Sequence, residues 1–497
     1  MTGDGLATRR PERLLPDASR VIAQLFVPGH ALPGGREGRA TGIVAHILEL
    51  DDDEVTTSLA ALMQRFGHRH RDLPDIFRRN AERIRNRLSD DTWLSDERWL
   101  LLGASFTHEF SVEAAAICNP SVVAAPDQST APLGGLRFIM SVRQIGEGHR
   151  SSIGFRTGAL DAAGAVTLDP PTPFTTAGTT TTGMLEAGPF AGLSQRRGVG
   201  AEAVGWVLGR LGSAFTQPEL DAALADLEAQ ADTRRNVAAT VAAFREVAAR
   251  TYRVTFPVES EVGERVLHPS MAVESNGMED ARFARFVDDD GSVTYHASYT
   301  AYDGSAIAQQ LLSTTDFLSY SVAPLTGAAA ANKGLALFPR RVGGRFAALS
   351  RFDGARNAIA FSDDLHFWPT VVPLAADPAT WEAIQVGNCG SPLETADGWL
   401  VLTHGVGPMR TYSIGAMLLD LDDPSMVIGR LRQPLFPSSA DDQDGYVPNV
   451  VYTCGGLVHE ETLFVPYGIN DCAIGLATVR LPDLTAKMRE DGLPQPD

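Results

Sequence analysis

Cysteine is scarce in this sequence, and its few thiols lie far apart. Only four of the 497 residues are cysteines, at positions 118, 389, 454 and 472, and no two of them form a CxxC pair. A zinc site needs closely spaced pairs, and a disulfide scaffold needs many more cysteines in a much shorter chain. The pattern therefore argues against both classes and predicts free, buried thiols in a reducing compartment.

Long apolar runs are also missing. No window approaches the roughly 18 apolar residues of a membrane-spanning helix. The first twenty residues, MTGDGLATRRPERLLPDASR, contain no apolar stretch that could act as a signal peptide. We therefore expect a cytoplasmic protein that has no membrane contact.

Positive charge is in short supply. The chain has 42 Lys and Arg against 61 Asp and Glu, which gives a net charge of −19. Such a protein repels phosphate backbones, so nucleic acid is not an expected partner. It can bind a small anion only where cations cluster, and residues 333–351 supply one lysine and four arginines. Taken alone, this cluster is equally typical of two basic surface strands.

Helical patterns occupy two stretches of a chain that is longer than one typical domain. Residues 50–90 have acidic starts, basic ends and apolar residues near a 3.6 period. Residues 198–250 are rich in alanine and strongly helical in pattern. We predict a helical N-terminal region over 1–112, a helical insertion over 198–250 and a C-terminal tail over 486–497.

A weak repeat fills the remaining sequence. Copies of a turn followed by an alternating strand begin at Gly146, Tyr302, Phe352, Gly407 and Tyr467, and the later copies recur about every 50–60 residues. Short strands that have Gly and Asp turns and no helices between them favour a propeller over a solenoid. Five copies predict a mainly β fold, in which a five-bladed β-propeller catalytic domain covers 113–485 and carries the helical insertion.

The loops of a propeller meet at one axial pocket, so catalytic residues should be scattered along the chain. Polar candidates near inner turns occur in every predicted blade: Asn119, Arg143, Glu279, Asp280, Arg282, Lys333, Arg340, Arg351, His404, Tyr467 and Asp471. Composition alone favours a surface pair for Glu279 and Asp280, in NGMEDARF. A carboxylate at the start of an inner strand would instead point into the axis.

Several motifs follow one another in a specific order. They are GMEDARF (277–283), NKGLALFPRR (332–341), ALSR (348–351), GSPLETADGWLVLTHGV (390–406), YSIGAMLLDLDDPSMVIGR (412–430), GYVPNVVYTCG (445–455) and PYGINDCAIGLATV (466–479). In order and spacing they resemble glycoside hydrolase family 130, the five-bladed β-mannoside phosphorylases and their hydrolase relatives. The resemblance implies inverting phosphorolysis of β-mannosides, which yields α-mannose 1-phosphate and a shortened acceptor. Inorganic phosphate would be the co-substrate, and no metal or organic cofactor would be needed.

The resemblance also assigns roles to residues. Asp280 matches the general acid, although Ala281 replaces the usual proline. The phosphate ligands map to Arg340, Arg351 and His404, with Gln385 where the family usually has a lysine. The residues expected to bind the mannoside are Asn119, Arg143, Glu279, Arg282, Lys333, Tyr467 and Asp471, and no metal ligands are expected.

Two other functions stay open. A hydrolase of the same family would need a second carboxylate as base, and the candidates are Glu382, Glu394 and Asp442. The retained Arg and His residues favour the phosphorylase, whereas the missing lysine favours the hydrolase. A propeller can also bind a glycan without cleaving it. The sequence leaves the acceptor sugar open, as well as the choice between β-1,2 and β-1,4 linkages. The helical additions are candidates for homo-oligomer contacts.

Overall fold

The computed structural model describes residues 5–28, 37–89, 91–231, 236–375, 378–438 and 443–492. Within these residues the α-helices are α1 Glu37–Glu49, α2 Asp52–Phe66, α3 Leu73–Arg83, α4 Asp96–Ser105, α5 Ala187–Arg196, α6 Ala201–Leu208, α7 Gln217–Glu228, α8 Val237–Ala249 and α9 Leu481–Asp491. Among the described residues, no helix is both long enough and apolar enough to span a bilayer.

Strands dominate the rest of the described chain, so the predicted mainly β class is confirmed. They are β1 Ala7–Leu14, β2 Val21–Leu25, β3 Thr107–Ser111, β4 Ala116–Ala124, β5 Leu136–Ile145, β6 Ser151–Leu160, β7 Val166–Leu168, β8 Thr176–Ala177, β9 Thr179–Thr181, β10 Leu185–Glu186, β11 Ala214–Phe215, β12 Tyr252–Thr255, β13 Arg265–Leu267, β14 Gly277–Val287, β15 Val293–Tyr302, β16 Ile307–Thr314, β17 Ser319–Pro324, β18 Ala336–Leu337, β19 Phe346–Ser350, β20 Ala358–Ser362, β21 Val372–Pro373, β22 Gln385–Asn388, β23 Leu393–Thr395, β24 Gly398–Val406, β25 Tyr412–Leu419, β26 Val427–Arg430, β27 Val451–Tyr452, β28 Leu457–His459, β29 Thr462–Ile469 and β30 Ala473–Arg480.

Five groups of antiparallel strands follow one another along the chain. Group 1 is β4–β7, group 2 is β14–β17, and group 3 is β18–β21. Group 4 is β22–β26, and group 5 joins β27–β30 with β1. Tight turns connect neighbouring strands. Gly291 between β14 and β15 and Gly304 between β15 and β16 have φ of 83° and 99°, which glycine adopts readily.

A separate hydrophobic core lies between each successive pair of groups. Groups 1 and 2 meet at Phe155 and Phe283, whose ring centroids are 6.1 Å apart. The cores between groups 2 and 3, 3 and 4, and 4 and 5 are built in the same way from inward-facing strand residues. Group 5 returns to group 1 through Phe464 and Phe138, at 5.2 Å. Each group is therefore stabilised by apolar burial against two neighbours.

The N-terminal region differs from the all-helical prediction for 1–112. Helices α1–α4 share a core around Phe106, but β1 pairs with β30, and β2 pairs with β3. The sequence of β1, ATRRPERL, does not predict a strand because it is rich in arginine and contains Pro11. The pairing with β30 shifts register between Arg9 and Arg13, so the proline lies at an irregularity of an edge strand.

The helical insertion begins earlier than the predicted residue 198. Helices α5–α8 span 187–249 and share a core that includes Phe190, Phe215 and Phe244. Pro189 lies in the first turn of α5, where a proline is tolerated. The predicted tail at 486–497 also begins as structure, because α9 runs to Asp491 and buries Met488.

Candidate active site

Three polar residues have an uncommon backbone conformation: Asn119 and Asp280 lie at breaks in the pairing of β4 and β14, and Asp471 lies in the turn between β29 and β30. Asn119, Asp280 and Asp471 have φ of 49°, 56° and 48°, a left-handed conformation that is uncommon for residues other than glycine. The pairing of β4 with β5 shifts at Asn119, and that of β14 with β15 shifts at Asp280. Such bulges turn a side chain out of the sheet. All three side chains border one cavity.

This cavity, called here the acid cavity, has a volume of 340 Å³. Of the predicted site residues it brings together Asn119, Arg143, Asp280, Lys333, Arg351, Gln385, His404 and Asp471. Its other lining residues are Asn332, Gly354, Arg410, Tyr412, Val447, Val450 and Tyr452. Residues more than 300 positions apart in the sequence thus share one pocket.

Asp280 is held from several sides. Its Oδ1 accepts hydrogen bonds from the Asn119 amide and, at 3.4 Å, from Nη1 of Arg143. Nη2 of Arg282 lies 3.9 Å from Oδ2, and Nη1 of Arg282 donates to the Asp280 carbonyl at 2.8 Å. Burial raises the pKa of Asp280, but Arg143, Arg282 and Lys333 outweigh burial and bring that pKa down to about 2.

Asp471 lies on the same cavity in a different electrostatic setting. Burial raises the pKa of its carboxyl, and the nearby charges of Asp280 and Glu279 add to this against the opposing effect of Arg143. The pKa of Asp471 reaches about 6. The two carboxyls of the acid cavity therefore have pKa values on opposite sides of the usual value for aspartate.

Glu279 fixes two of the cations. Its carboxylate accepts from Nη2 of Arg143 at 2.7 Å and from Nζ of Lys333 at 2.9 Å. Its side chain is largely buried and does not line the acid cavity. Glu279 thus positions Arg143 and Lys333, and its predicted contact with substrate stays a prediction.

Arg351 and His404 form the opposite side of the cavity. Arg351 donates through Nη1 to Nε2 of His404 at 3.0 Å. Burial, together with the charges of Arg351 and Arg282, holds the pKa of His404 well below its ordinary value, so the ring is neutral. The Nε of Arg351 is buried and has no hydrogen-bond partner among the described residues. A cation that lacks a carboxylate partner and keeps an unused donor is suited to an anion.

Two glycines make room for Arg351. A Cβ on Gly387 would lie 2.2 Å from Cδ of Arg351 and 2.6 Å from Cε1 of His404. A Cβ on Gly334, whose φ is 99°, would lie 2.4 Å from Nε of Arg351. The close approach of these backbones fixes the guanidinium against the cavity wall.

Arg282, which was predicted to bind substrate, lies beneath the acid cavity. Its side chain is 1% exposed and does not line the acid cavity. It donates through Nε to the carbonyl of Cys389 at 2.8 Å and through Nη2 to the hydroxyl of Tyr452 at 3.0 Å. Arg282 therefore ties β14 to groups 4 and 5 beneath the cavity and supports the Asp280 backbone.

Arg340 is also placed elsewhere, so its predicted contact with phosphate is corrected. It forms two hydrogen bonds with Glu394, at 2.9 and 2.7 Å, and its guanidinium lies 4.8 Å from the ring centroid of Trp399. It borders a different cavity, also 340 Å³ in volume, which we call the Arg340 cavity. Because β18 and β19 run antiparallel, Arg340 after β18 and Arg351 after β19 lie at opposite ends of the pair.

Tyr467 is likewise not a surface of the acid cavity. It is 3% exposed and stacks on Phe436 with a centroid distance of 5.4 Å, within the core between groups 4 and 5. On β29 its ring points into this core and leaves the cavity to Asp471, four residues further on. The predicted contact of Tyr467 with substrate is therefore corrected to packing.

The carboxylates considered as a hydrolytic base are also accounted for. Glu382 is buried and paired with Arg430, and Glu394 is paired with Arg340. Neither lines the acid cavity, and Asp442 lies outside the described residues. Among the described residues, the carboxylates on the cavity are those of Asp280 and Asp471.

All four cysteines are free; Cys118, Cys389 and Cys454 are buried, and Cys472 is partly exposed. Burial raises the pKa of each of the three buried thiols. Within the described ranges, no group of three or more His, Cys, Asp or Glu side chains is arranged to hold a metal ion.

Sequence reasoning missed several residues of the cavity. Asn332 and Tyr412 lie at the edges of motifs that were recognised, so their neighbours gave the available signal. Arg410 lies in a turn, GPMRT, that has no chemical motif. Its contribution becomes visible only when the strands on either side are paired.

Comparisons with known proteins identify the family. Residues 246–490 match the model of the glycoside hydrolase 130 family, which is described as beta-1,4-mannooligosaccharide phosphorylase. A 1,2-beta-oligomannan phosphorylase from Thermoanaerobacter sp. is 40% identical over 158 residues, which are 31% of this chain and 52% of that protein. A beta-1,2-mannobiose phosphorylase from Listeria innocua is 31% identical over 230 residues, or 44% of this chain and 62% of that protein.

The matched regions thus span about half to three fifths of these relatives' own length. The solved structure of the Listeria innocua beta-1,2-mannobiose phosphorylase aligns over 77% of this chain and 93% of that one, with 20% identity and a TM-score of 0.44. The family match includes Asp280, Arg351, His404 and Asp471, all on the acid cavity. The C-terminal half of the chain therefore matches glycoside hydrolase family 130.

Proposed function

We propose that this protein is an inverting phosphorylase of β-mannosides. It transfers a mannosyl group to inorganic phosphate and releases α-mannose 1-phosphate and a shortened acceptor. One observation carries the proposal. The acid cavity places the carboxylate of Asp280 together with Arg351, a buried cation that, among the residues that the structure describes, has no carboxylate partner and has an unused Nε donor.

Phosphate would bind on the Arg351 side. Arg351 and the amide of Gln385 supply donors, and the neutral ring of His404 orients Arg351 through its Nε2. An oxygen of phosphate attacks the anomeric carbon from the face opposite the leaving oxygen, so the anomeric configuration inverts. The bond to the acceptor oxygen breaks as the new C–O–P bond forms. No metal or organic cofactor takes part in these steps.

Asp280 would supply the proton of the leaving oxygen. With a pKa of about 2 it is ionised in the empty cavity at neutral pH, so it must gain a proton when substrates bind. A bound phosphate dianion adds negative charge to the cavity that holds Asp280 and thereby raises the pKa of Asp280. The proton then passes through a mannose hydroxyl to the leaving oxygen. The phosphate group loses its own proton when it becomes a sugar phosphate, and this proton replaces the one that went to the leaving oxygen.

The remaining polar residues would bind the mannosyl group. Asn119, Arg143, Lys333 and Asp471 line the cavity around Asp280 and offer both donors and acceptors to sugar hydroxyls. The partners of this protein are therefore a β-mannoside and phosphate. The names of the relatives cover both β-1,2 and β-1,4 mannosides, so both linkages belong in the first test.

We also propose that the five strand groups form the five blades of a propeller. The separate cores between successive groups and the contact of group 5 with group 1 support a closed ring. The parallel bridge between Ser121 and Gly455 supports the same closure from the inner strands. In such a ring the acid cavity lies on the axis.

The test is an assay of product formation from β-1,2- and β-1,4-mannobiose, with and without phosphate. The expected result is α-mannose 1-phosphate that appears only when phosphate is present. Free mannose released equally in the absence of phosphate would replace the proposal with a hydrolase. Binding of the disaccharide without any product would replace it with a glycan-binding protein.

A further inference from the structure

The turn between β24 and β25 holds an arginine in an uncommon backbone conformation. Met409 and Arg410 are consecutive residues that have φ of 57° and 55°, in the left-handed region. For residues other than glycine, each such conformation is strained and persists only where the surroundings enforce it. Met409 is 89% exposed, so packing of its own side chain does not explain the turn. The conformation directs Arg410 to the acid cavity, which it lines.

The strand register places Arg410 beside the predicted phosphate side of that cavity. Gln385 pairs with Val406 across β22 and β24, and Val406 pairs with Tyr412 across β24 and β25. These three residues form one row, and the turn 407–411 continues directly from it. Gln385, Tyr412 and Arg410 all border the cavity together with Arg351.

The charges of the cavity separate its cations into two kinds. Arg143 is paired with Glu279 and Asp280, and Lys333 is paired with Glu279. Arg410, in contrast, has no ion pair or hydrogen bond within the described part of the chain. The charge of Arg410 lowers the pKa of Asp471, and this effect is smaller than that of burial or of Arg143. Arg410 and Arg351 are therefore the two arginines of the cavity that have no carboxylate partner.

We propose that Arg410 is a second cationic ligand of the transferred phosphate and supplies the positive charge that Gln385 lacks. This inference rests on the proposed function, because it names a further ligand at the same site. An arginine presents several donors in a planar fork and binds phosphate oxygens in pairs. Arg351 would bind the anion from the buried wall and Arg410 from the exposed rim.

Binding of phosphate to the protein without mannoside tests this directly. Titration calorimetry with inorganic phosphate, against chloride at equal ionic strength, gives the dissociation constant. For Arg410→Gln we expect phosphate binding to weaken by roughly 10- to 100-fold, the range for a hydrogen bond to a charged group. Arg356→Gln is the matched control, since Arg356 is exposed, is paired with Asp353 and lies outside the acid cavity. It should leave phosphate binding unchanged.

A second variant tests whether charge at this position is the cause. Gln385→Lys in the Arg410→Gln background should recover most of the lost phosphate affinity, because both positions face one anion. In the phosphorolysis assay the KM for phosphate should rise in Arg410→Gln, while the KM for the mannoside stays within about twofold. This split separates an anion ligand from a residue that only supports the turn.

Three results would overturn the proposal. One is unchanged phosphate affinity in Arg410→Gln, and another is a loss that Gln385→Lys does not recover. The third is a rise in the KM for the mannoside alone, which would make Arg410 a contact of the acceptor sugar. In all three the wild-type protein still binds phosphate, and the proposed phosphorylase stands. Absence of phosphate binding in the wild type, together with phosphate-independent cleavage, would instead overturn both.

Discussion

The acid cavity and the Arg340 cavity have the same volume but different chemistry. Both measure 340 Å³, and both are lined by residues from all five strand groups. On β4, Asn119 lines the acid cavity, and residues 122–124 line the Arg340 cavity. On β14, Asp280 lines the acid cavity, and residues 283–285 and 287 line the Arg340 cavity. The two cavities thus lie toward opposite ends of the same inner strands.

The difference shows what turns a cavity of this fold into a candidate site. At the acid cavity, left-handed residues interrupt the strands, and Arg351 has no carboxylate partner. At the Arg340 cavity, the strands of groups 1 and 2 continue in regular pairing, and Arg340 is neutralised by Glu394. The strand groups supply the walls of both cavities, whereas the chemical difference between the cavities comes from bulges and from charges that remain available.

Removing the carboxylic acid of Asp280 should have the largest effect on activity and so is the strongest test of the difference between the two cavities. Asp280→Asn keeps the shape of the side chain but cannot supply a proton, so kcat should fall by about 10²–10⁴-fold. The measurement is the rate of α-mannose 1-phosphate formation at saturating substrates. Glu394→Gln at the Arg340 cavity is the control and should stay within about twofold of the wild type. Equal losses in the two variants would remove the distinction between the cavities.

The two arginines that sequence motifs assigned to phosphate give the next test. Arg351→Lys removes the planar fork at a buried position, and the KM for phosphate should rise by roughly 10- to 100-fold. Arg340→Lys should leave that KM unchanged and lower the free energy of unfolding by about 1 kcal/mol or less, because its ion pair with Glu394 is largely exposed. A rise in the KM for phosphate in Arg340→Lys would contradict the placement of Arg340 on the other cavity.

The fold class could be predicted because its signals are local. Alternating strands and turns rich in Gly and Asp are visible in the sequence, and the mainly β class follows from them. Strand β1 could not be found in this way, because ATRRPERL lacks alternation and pairs with a strand more than 450 residues away. Residues 7–14 become a strand because they pair with the edge of β30. The early start of the insertion was hidden by Gly188 and Pro189, which usually mark loops.

The site could be predicted in part for a similar reason. Motifs locate Asp280, Arg351 and His404 along the chain, and these three residues reach one cavity. The motifs do not show which end of a strand a residue occupies, so they predict phosphate binding for both Arg340 and Arg351. The antiparallel pairing of β18 and β19 decides between them: Lys333 before β18 shares an end with Arg351, whereas Arg340 after β18 does not. The position of Arg410 on the cavity could be found only from the register of β22, β24 and β25.

A further predicted effect concerns stability, through the second carboxyl of the acid cavity. The pKa of Asp471 is about 6 in the folded protein and near 3.8 in the unfolded chain, so its ionisation opposes folding. Its contribution to stability is fully present below pH 4 and is lost as the pH rises through 6. Asp471→Asn removes this loss. The free energy of unfolding should therefore fall less between pH 4 and 7 in the variant than in the wild type, by about 2 kcal/mol after allowance for partial exposure.

Urea denaturation at several pH values measures this difference, and Asp288→Asn serves as the control. Asp288 borders neither cavity, and hydrogen bonds from the Asp289 backbone amide and from Arg341 hold its pKa below the usual value, which gives the opposite sign at low pH. Parallel curves for the wild type and Asp471→Asn would mean that Asp471 titrates as an ordinary surface acid. The electrostatic contrast between Asp471 and Asp280 would then be lost, and Asp280 would be the one perturbed carboxyl of the acid cavity.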